Sequence, residues 1–127
     1  MIEIKRCDTL HIVKFQFNRA SLSMMSLELP SDVKINTKVK LSIKPTHIAL
    51  GKNISGDLSF SNQLDAVISD ITNGEFLNSI SLKLDDKNTI ESIITKESAL
   101  RLQLKKGDRV TALIKASDIS IGQVYDA

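Results

Sequence analysis

Alternation of apolar and polar residues constrains this chain more than any other feature. Val13, Phe15 and Phe17 alternate with Lys14 and Gln16, and Val39, Leu41 and Ile43 with Lys40, Ser42 and Lys44. Ile80, Leu82 and Leu84 alternate with Ser81 and Lys83, and Val110, Ala112 and Ile114 with Thr111, Leu113 and Lys115. A period of two places alternate side chains on opposite faces of a strand, so each segment predicts a half-buried β-strand. Asn18-Arg19, Asn73-Gly74 and Asp85-Asp86-Lys87-Asn88 supply turn signals between them. Many short strands joined by turns predict a mainly β protein of the barrel or sandwich kind.

One stretch breaks the alternation. Thr95 can cap a helix whose first turn is Lys96, Glu97 and Ser98, with Ala99, Leu100 and Leu104 as its apolar positions. Lys105 and Lys106 suit the negative end of a helix dipole, and Gly107 suits the left-handed position beyond it. The expectation is one short helix of roughly two or three turns.

The chain also repeats itself. Val39-Lys40-Leu41-Ser42-Ile43-Lys44-Pro45-Thr46-His47-Ile48 lines up without a gap on Val110-Thr111-Ala112-Leu113-Ile114-Lys115-Ala116-Ser117-Asp118-Ile119. Leu10 and Val13 can be set against Leu64 and Val67 at the starts of the two copies. The second copy is longer between these ends, and the extra length holds the helix. Glycines in the polar stretch from Gly51 to Gly56 suggest the boundary. The expected halves are residues 1–52 and 57–127, two similar β units in tandem.

Composition narrows the function classes. The chain has 127 residues, 42% of them apolar, which is enough for a real core. A formal net charge of +2 is too small to imply a nucleic-acid partner. The single cysteine, Cys7, allows no intramolecular disulfide and has no second cysteine for a metal site. The charged opening Met1-Ile2-Glu3-Ile4-Lys5-Arg6 is unlike a signal peptide, and no apolar run approaches a membrane span. These features predict a cytoplasmic protein without membrane insertion. Halves this small also predict that they share interfaces or that the chain is a homo-oligomer.

No phosphate-cradling glycine loop, nucleophile elbow or paired-carboxylate pattern is present, so an enzyme is not expected. His11 and His47 lack metal-ligand spacing, and no direct protein–metal ligands are expected. What remains are three groups of hydrogen-bond donors at structural ends. Thr95, Lys96 and Ser98 open the helix, and also read as a plain cap. Lys115, Ala116 and Ser117 offer a charge, a small residue that admits close approach, and a directional hydroxyl; they also read as a solvated strand end. Ser59, Ser61 and Asn62 precede a strand, and also read as a polar linker. Together they suit a tetrahedral dianion, which needs many donors, one or two cations and no nearby carboxylate. Glu97 is the exception and is expected to point away.

These segments resemble the molybdenum-binding Mop or TOBE domain family. Ser59-Phe60-Ser61-Asn62-Gln63-Leu64 is similar to the family's Ser-Ala-Arg-Asn-Gln-Leu opening, and Ile94-Thr95-Lys96-Glu97-Ser98 to its Ile-Thr-Lys-Glu-Ser segment. The run from Leu104 to Asp118 resembles its Leu-Lys-x-Gly-x-x-Val-Thr-Ala-Leu-Ile-Lys-Ala-Ser-Asp ending. The first half is a divergent copy whose ending, Leu41 to Ile48, resembles the same domain in transporter ATPases. The resemblance implies two five-stranded, oligonucleotide-binding-like (OB-like) barrels in tandem, with oxyanions bound between barrels and often across subunit interfaces. By position it implies Ser59, Thr95, Ser98 and Lys115 as ligands, with Ser117 as an addition. Lys44 and Thr46 are the first-half counterparts of Lys115 and Ser117. Two departures stand out. Ser61 occupies a place where the family often has arginine, and the first half has no copy of the Thr-x-x-Ser segment.

The leading expectation is therefore intracellular storage of molybdate or tungstate, the bound ligand being a small oxyanion. The alternative is a ligand-sensing regulatory module acting on a molybdate transporter or a transcription regulator. A third reading, an oligonucleotide-binding barrel, needs exposed aromatics for base stacking. Only Phe15, Phe17, Phe60, Phe76 and Tyr125 exist, and the first two alternate like core residues.

Overall fold

The computed structural model describes residues 3–7, 10–17, 20–27, 29 and 34–125, the turn expected at Asn18-Arg19 lying outside them. The described residues form ten strands, four of them, β2, β4, β7 and β9, at the alternating segments: β1 (Glu3–Cys7), β2 (Leu10–Phe17), β3 (Ala20–Ser26), β4 (Lys38–Ile43), β5 (Ala49–Gly51), β6 (Asn62–Asn73), β7 (Leu77–Lys83), β8 (Thr89–Thr95), β9 (Arg109–Ile114) and β10 (Ile119–Tyr125). One α-helix, α1 (Lys96–Arg101), and two 3-10 turns, η1 (Pro45–His47) and η2 (Ala116–Asp118), complete the described elements.

The chain divides into two compact units. The first holds Met1–Ile43, Phe60–Asn62 and Lys115–Ala127. Its strands form an antiparallel sheet in the order β1-β2-β3 and a ribbon of β10 with β4. Val13, Phe15, Leu22, Met24 and Ile119 are its buried apolar residues. The second unit holds Lys44–Ser59 and Gln63–Ile114, and its five strands run in the order β5-β9-β6-β7-β8. Leu64, Ala66, Ile68, Ile80, Leu82, Val110, Ala112 and Ile114 are buried there. Burying each large aliphatic side chain contributes about 1.5–3 kcal/mol before entropy is counted.

The units do not follow the sequence repeat. The last strand of the first half, β5, pairs with β9 in the second unit, Ala49 opposite Leu113. The last strand of the second half, β10, pairs with β4 in the first unit, Ile119 opposite Ile43. Each unit is thus completed by a strand from the other half of the sequence. The repeat itself is visible in the backbone. Lys44 stands before η1 at φ −70°, ψ 133°, and Lys115 before η2 at φ −71°, ψ 145°. Each is followed by a bend closed by its own carbonyl, from the His47 N–H at 2.8 Å and the Asp118 N–H at 3.0 Å.

Two irregularities shape the second unit. A register shift between Ile68 and Asp70 bulges the long strand β6, as an extra residue on one strand does. The hairpin from β6 to β7 turns at Gly74, where a Cβ would lie 2.4 Å from the Leu77 carbonyl oxygen, so only glycine fits.

The helix is shorter than expected and ends differently. It stops at Arg101, and Gln103, not Gly107, takes the left-handed position at φ 52°. The Leu104 N–H bonds the Ala99 carbonyl at 3.2 Å, and the Gln103 N–H bonds the Leu100 carbonyl at 3.1 Å. That pair of bonds is the Schellman ending, here built on a non-glycine residue. Gly107, at φ 93°, serves the next turn, where its N–H bonds the Ile68 carbonyl at 2.8 Å.

Candidate functional site

The second unit carries the donor cluster at the β8–α1 junction. Thr95 ends β8 in extended backbone, and its Oγ1 accepts the Ser98 N–H at 3.2 Å, as a helix cap does. The Lys96 N–H leaves the helix to bond the Phe76 carbonyl at 2.8 Å, fixing the junction to β7. Thr95 Oγ1 donates to Ser98 Oγ at 2.9 Å, and Arg101 Nη2 donates to Ser98 Oγ at 3.3 Å. Each hydroxyl has one proton. The bond between the two oxygens uses one of them, so the other is left to donate outward. Arg101 can only donate, which makes the Ser98 oxygen an acceptor and places positive charge behind the pair. Thr95 is exposed, Ser98 and Lys96 are half-buried, and Glu97 is exposed.

Lys44 and Thr46 lie in the same unit, both exposed, at the bend that η1 makes against β8. That bend is tied to β8 by the buried Ser92, whose hydroxyl donates to the Ile48 carbonyl at 2.6 Å. Ser59, also exposed, precedes β6 in this unit.

Ser61, Asn62, Lys115, Ala116 and Ser117 belong to the first unit. Lys115 and Ser117 are exposed and Ala116 half-buried, on a bend that packs against β3. Ser61 is exposed, while Asn62 is 1% exposed. Asn62 Nδ2 donates to the Ser23 carbonyl at 2.9 Å, and its Oδ1 accepts the Ser23 N–H at 2.7 Å. This amide is committed to clamping the β3 backbone. Among the described residues, no group of three or more His, Cys, Asp or Glu side chains could hold a metal ion.

The TOBE domain family matches residues 58–121, half of the chain. The chain belongs to the TOBE family. A crystal structure of the cytoplasmic molybdate-binding protein ModG with molybdate bound is similar over 94% of this chain and 89% of that one, at 26% identity and a TM-score of 0.88. This TOBE protein is accordingly mainly β, with an OB-like fold similar to that of ModG. A molybdate-binding protein from Sporomusa ovata is 33% identical, the match covering 48% of this chain and 90% of that one at a TM-score of 0.46. MopII from Clostridium pasteurianum is 30% identical, covering 47% and 90%, at a TM-score of 0.45. No curated protein matches the chain. ModG and the Sporomusa protein are both described as molybdate-binding proteins. No helix among the described residues is long and apolar enough to cross a membrane.

Three residues of the second unit escape a motif-based reading of this TOBE protein. Arg101 reads in sequence as an ordinary surface residue, yet it touches Ser98. Lys52 reads as linker, yet its ammonium donates to the Leu102 carbonyl at 3.2 Å, the Gln103 carbonyl at 3.1 Å and Asp108 Oδ2 at 3.1 Å. Asp108 Oδ2 also accepts the Lys105 N–H at 2.9 Å. The hydrogen bond from Lys52, then that from the Lys105 backbone, holds the Asp108 carboxyl below the usual aspartate range, and partial desolvation opposes them. A lysine directly after the short strand β5 was the available signal for Lys52, and it is common to many surface lysines.

Proposed function

We propose that this TOBE protein binds molybdate and holds it for intracellular storage, with tungstate as an alternative ligand. The observation that carries the proposal is the likeness to molybdate-bound ModG along nearly the whole chain. The donor chemistry supports it. Thr95, Ser98 and Arg101 present a spare hydroxyl proton backed by a guanidinium, which suits an oxyanion without protons of its own. Lys115 and Ser117 in the first unit, with Lys44 and Thr46 in the second, offer an exposed ammonium and hydroxyl at equivalent bends. Ser59, Ser61, Lys96 and Ala116 complete the proposed set, Lys96 as charge and Ala116 as a small residue beside the backbone. Asn62 serves it indirectly, by fixing β3. We read the two units as OB-like barrels of a cytoplasmic homo-oligomer.

The test is isothermal titration of phosphate-free protein with molybdate, tungstate and sulfate. Saturable molybdate binding with negligible sulfate binding is expected. Selectivity would come from the size of the oxyanion, because the charges are alike. Absence of heat with both molybdate and tungstate would overturn the proposal.

A further inference from the structure

We propose that Lys52 is a positioning residue for the Thr95–Ser98 hydroxyl pair, so that the first half of the sequence serves the second half's oxyanion donors by holding α1 in place. This rests on the molybdate reading of that pair. Lys52 follows β5, the strand that the first half contributes to the second unit. Its three ammonium protons meet three acceptors: the carbonyls of Leu102 and Gln103 and Asp108 Oδ2. An ammonium has three donors, so Lys52 has none left for a ligand. Its chemistry is that of a latch.

What it latches is otherwise weakly held. A six-residue helix is far below the length at which helices persist on their own, and this one ends on a left-handed glutamine, a costlier residue there than glycine. Lys52 binds the carbonyl of that glutamine and the one before it, where the helix dipole is negative. Asp108, at the start of the path into β9, holds the same ammonium and the Lys105 N–H. The opposite end of α1 is fixed by the Lys96 N–H on Phe76 and the Thr95 cap. Arg101 is the last helical residue, next to Leu102, and its guanidinium is the group that meets Ser98. Release of Leu102 and Gln103 therefore frees both the helix end and the cation behind the hydroxyl pair.

The experiment compares Lys52→Met, Lys52→Arg and Lys106→Met in the full chain. Lys106 is exposed, so its loss controls for the removal of one positive charge. Molybdate is titrated into each, and amide hydrogen exchange at Ser98 is followed without ligand. K52M is expected to bind molybdate roughly tenfold more weakly, the size typical when a residue that orients a ligand is removed. K106M should bind as the unaltered chain does, and K52R should recover most of the affinity. Ser98 exchange should quicken in K52M alone. Equal affinity in K52M and the unaltered chain, or equal weakening in K52M and K106M, overturns the latch. If the unaltered chain binds no molybdate, the functional reading falls while the exchange data still decide whether Lys52 orders Ser98: unchanged exchange in K52M overturns that too. Should K52M fail to fold, Lys52→Gln takes its place: the shorter, neutral side chain gives up the ammonium's reach to Leu102 and Gln103, and unchanged affinity with unchanged Ser98 exchange overturns the latch.

Discussion

Asn62 grips the backbone of Ser23 from both sides, its Nδ2 donating to the carbonyl at 2.9 Å and its Oδ1 accepting the amide at 2.7 Å. A side chain that is 1% exposed and bonded in this way acts on the fold. Asn62→Ala leaves a peptide donor and acceptor of Ser23 without these partners, which costs about 1–3 kcal/mol for each group left unsatisfied. Urea unfolding should show a lower midpoint for N62A. A variant as stable as the original would mean that other groups satisfy Ser23.

Ser98→Ala and Thr95→Val separate binding from capping. The Ser98 hydroxyl makes only exposed side-chain bonds, with Thr95 and Arg101, so S98A should lower molybdate affinity with little change in unfolding. Thr95 also caps the Ser98 N–H. T95V should lose affinity and about 1 kcal/mol of stability, the usual value of a helix cap. Calorimetric titration and thermal unfolding of the two variants, side by side, check both halves of this expectation.

Asp108 predicts a direction of pH dependence. Its carboxyl is held below the ordinary range in the folded chain, first by Lys52 and then by the Lys105 amide. A depressed folded value means stability that is fully present above the unfolded value and lost as pH falls through the folded one. Acid should therefore loosen the α1–β9 connection, and Asp108→Asn should flatten that part of the acid unfolding curve. NMR titration of the carboxyl carbon tests the cause directly: in K52M its midpoint should rise toward the ordinary aspartate range.

Ile80 and Leu82, both 0% exposed in the middle of β7, carry the packing of the second unit. Leu82→Ala should cost about 2–5 kcal/mol through lost transfer energy and the cavity left behind. The equally apolar Leu100, 67% exposed, should tolerate alanine with little effect on chemical unfolding.

Exchange of the terminal strands makes a prediction about fragments. Residues 1–52 and 57–127, expressed apart, each lack the strand that completes their own sheet. Neither should give a cooperative unfolding transition alone, and mixing them should restore one. A sharp transition in the second fragment by itself, at a concentration where it is monomeric, would contradict this.

Much of this was legible in the chain. Alternation located β2, β4, β7 and β9, because a strand with one buried face writes its period into the sequence. Thr95 was readable as a cap because capping depends on one side chain and nearby amides. The matched runs at 39–48 and 110–119 were legible as a repeat of one strand pattern, and the equivalent bends after Lys44 and Lys115 are where the backbone shows it. Partner choice was not legible: a period of two says which face is buried and nothing about which strand lies alongside, so the exchange of β5 and β10 went unseen. Gly107 drew the helix end too far because glycine favours left-handed backbone wherever it stands, whereas Gln103 was forced there by the bonds around it. Asn62 offered donors in sequence, and only its burial against Ser23 shows that its amide grips β3. Lys52 and Asp108 are far apart along the chain, and their meeting depends on β5 joining β9.

The lending of β5 bears on how such a chain can change over generations. A half that merely duplicated the other could be trimmed once its own ligands had gone. Here the opening half is a creditor: Ala49–Gly51 forms an edge of its neighbour's sheet, so losing that half would expose the neighbour's β9. Substitutions of the proposed donors Lys44 and Thr46 therefore leave that edge in place, while deletions across the same stretch do not.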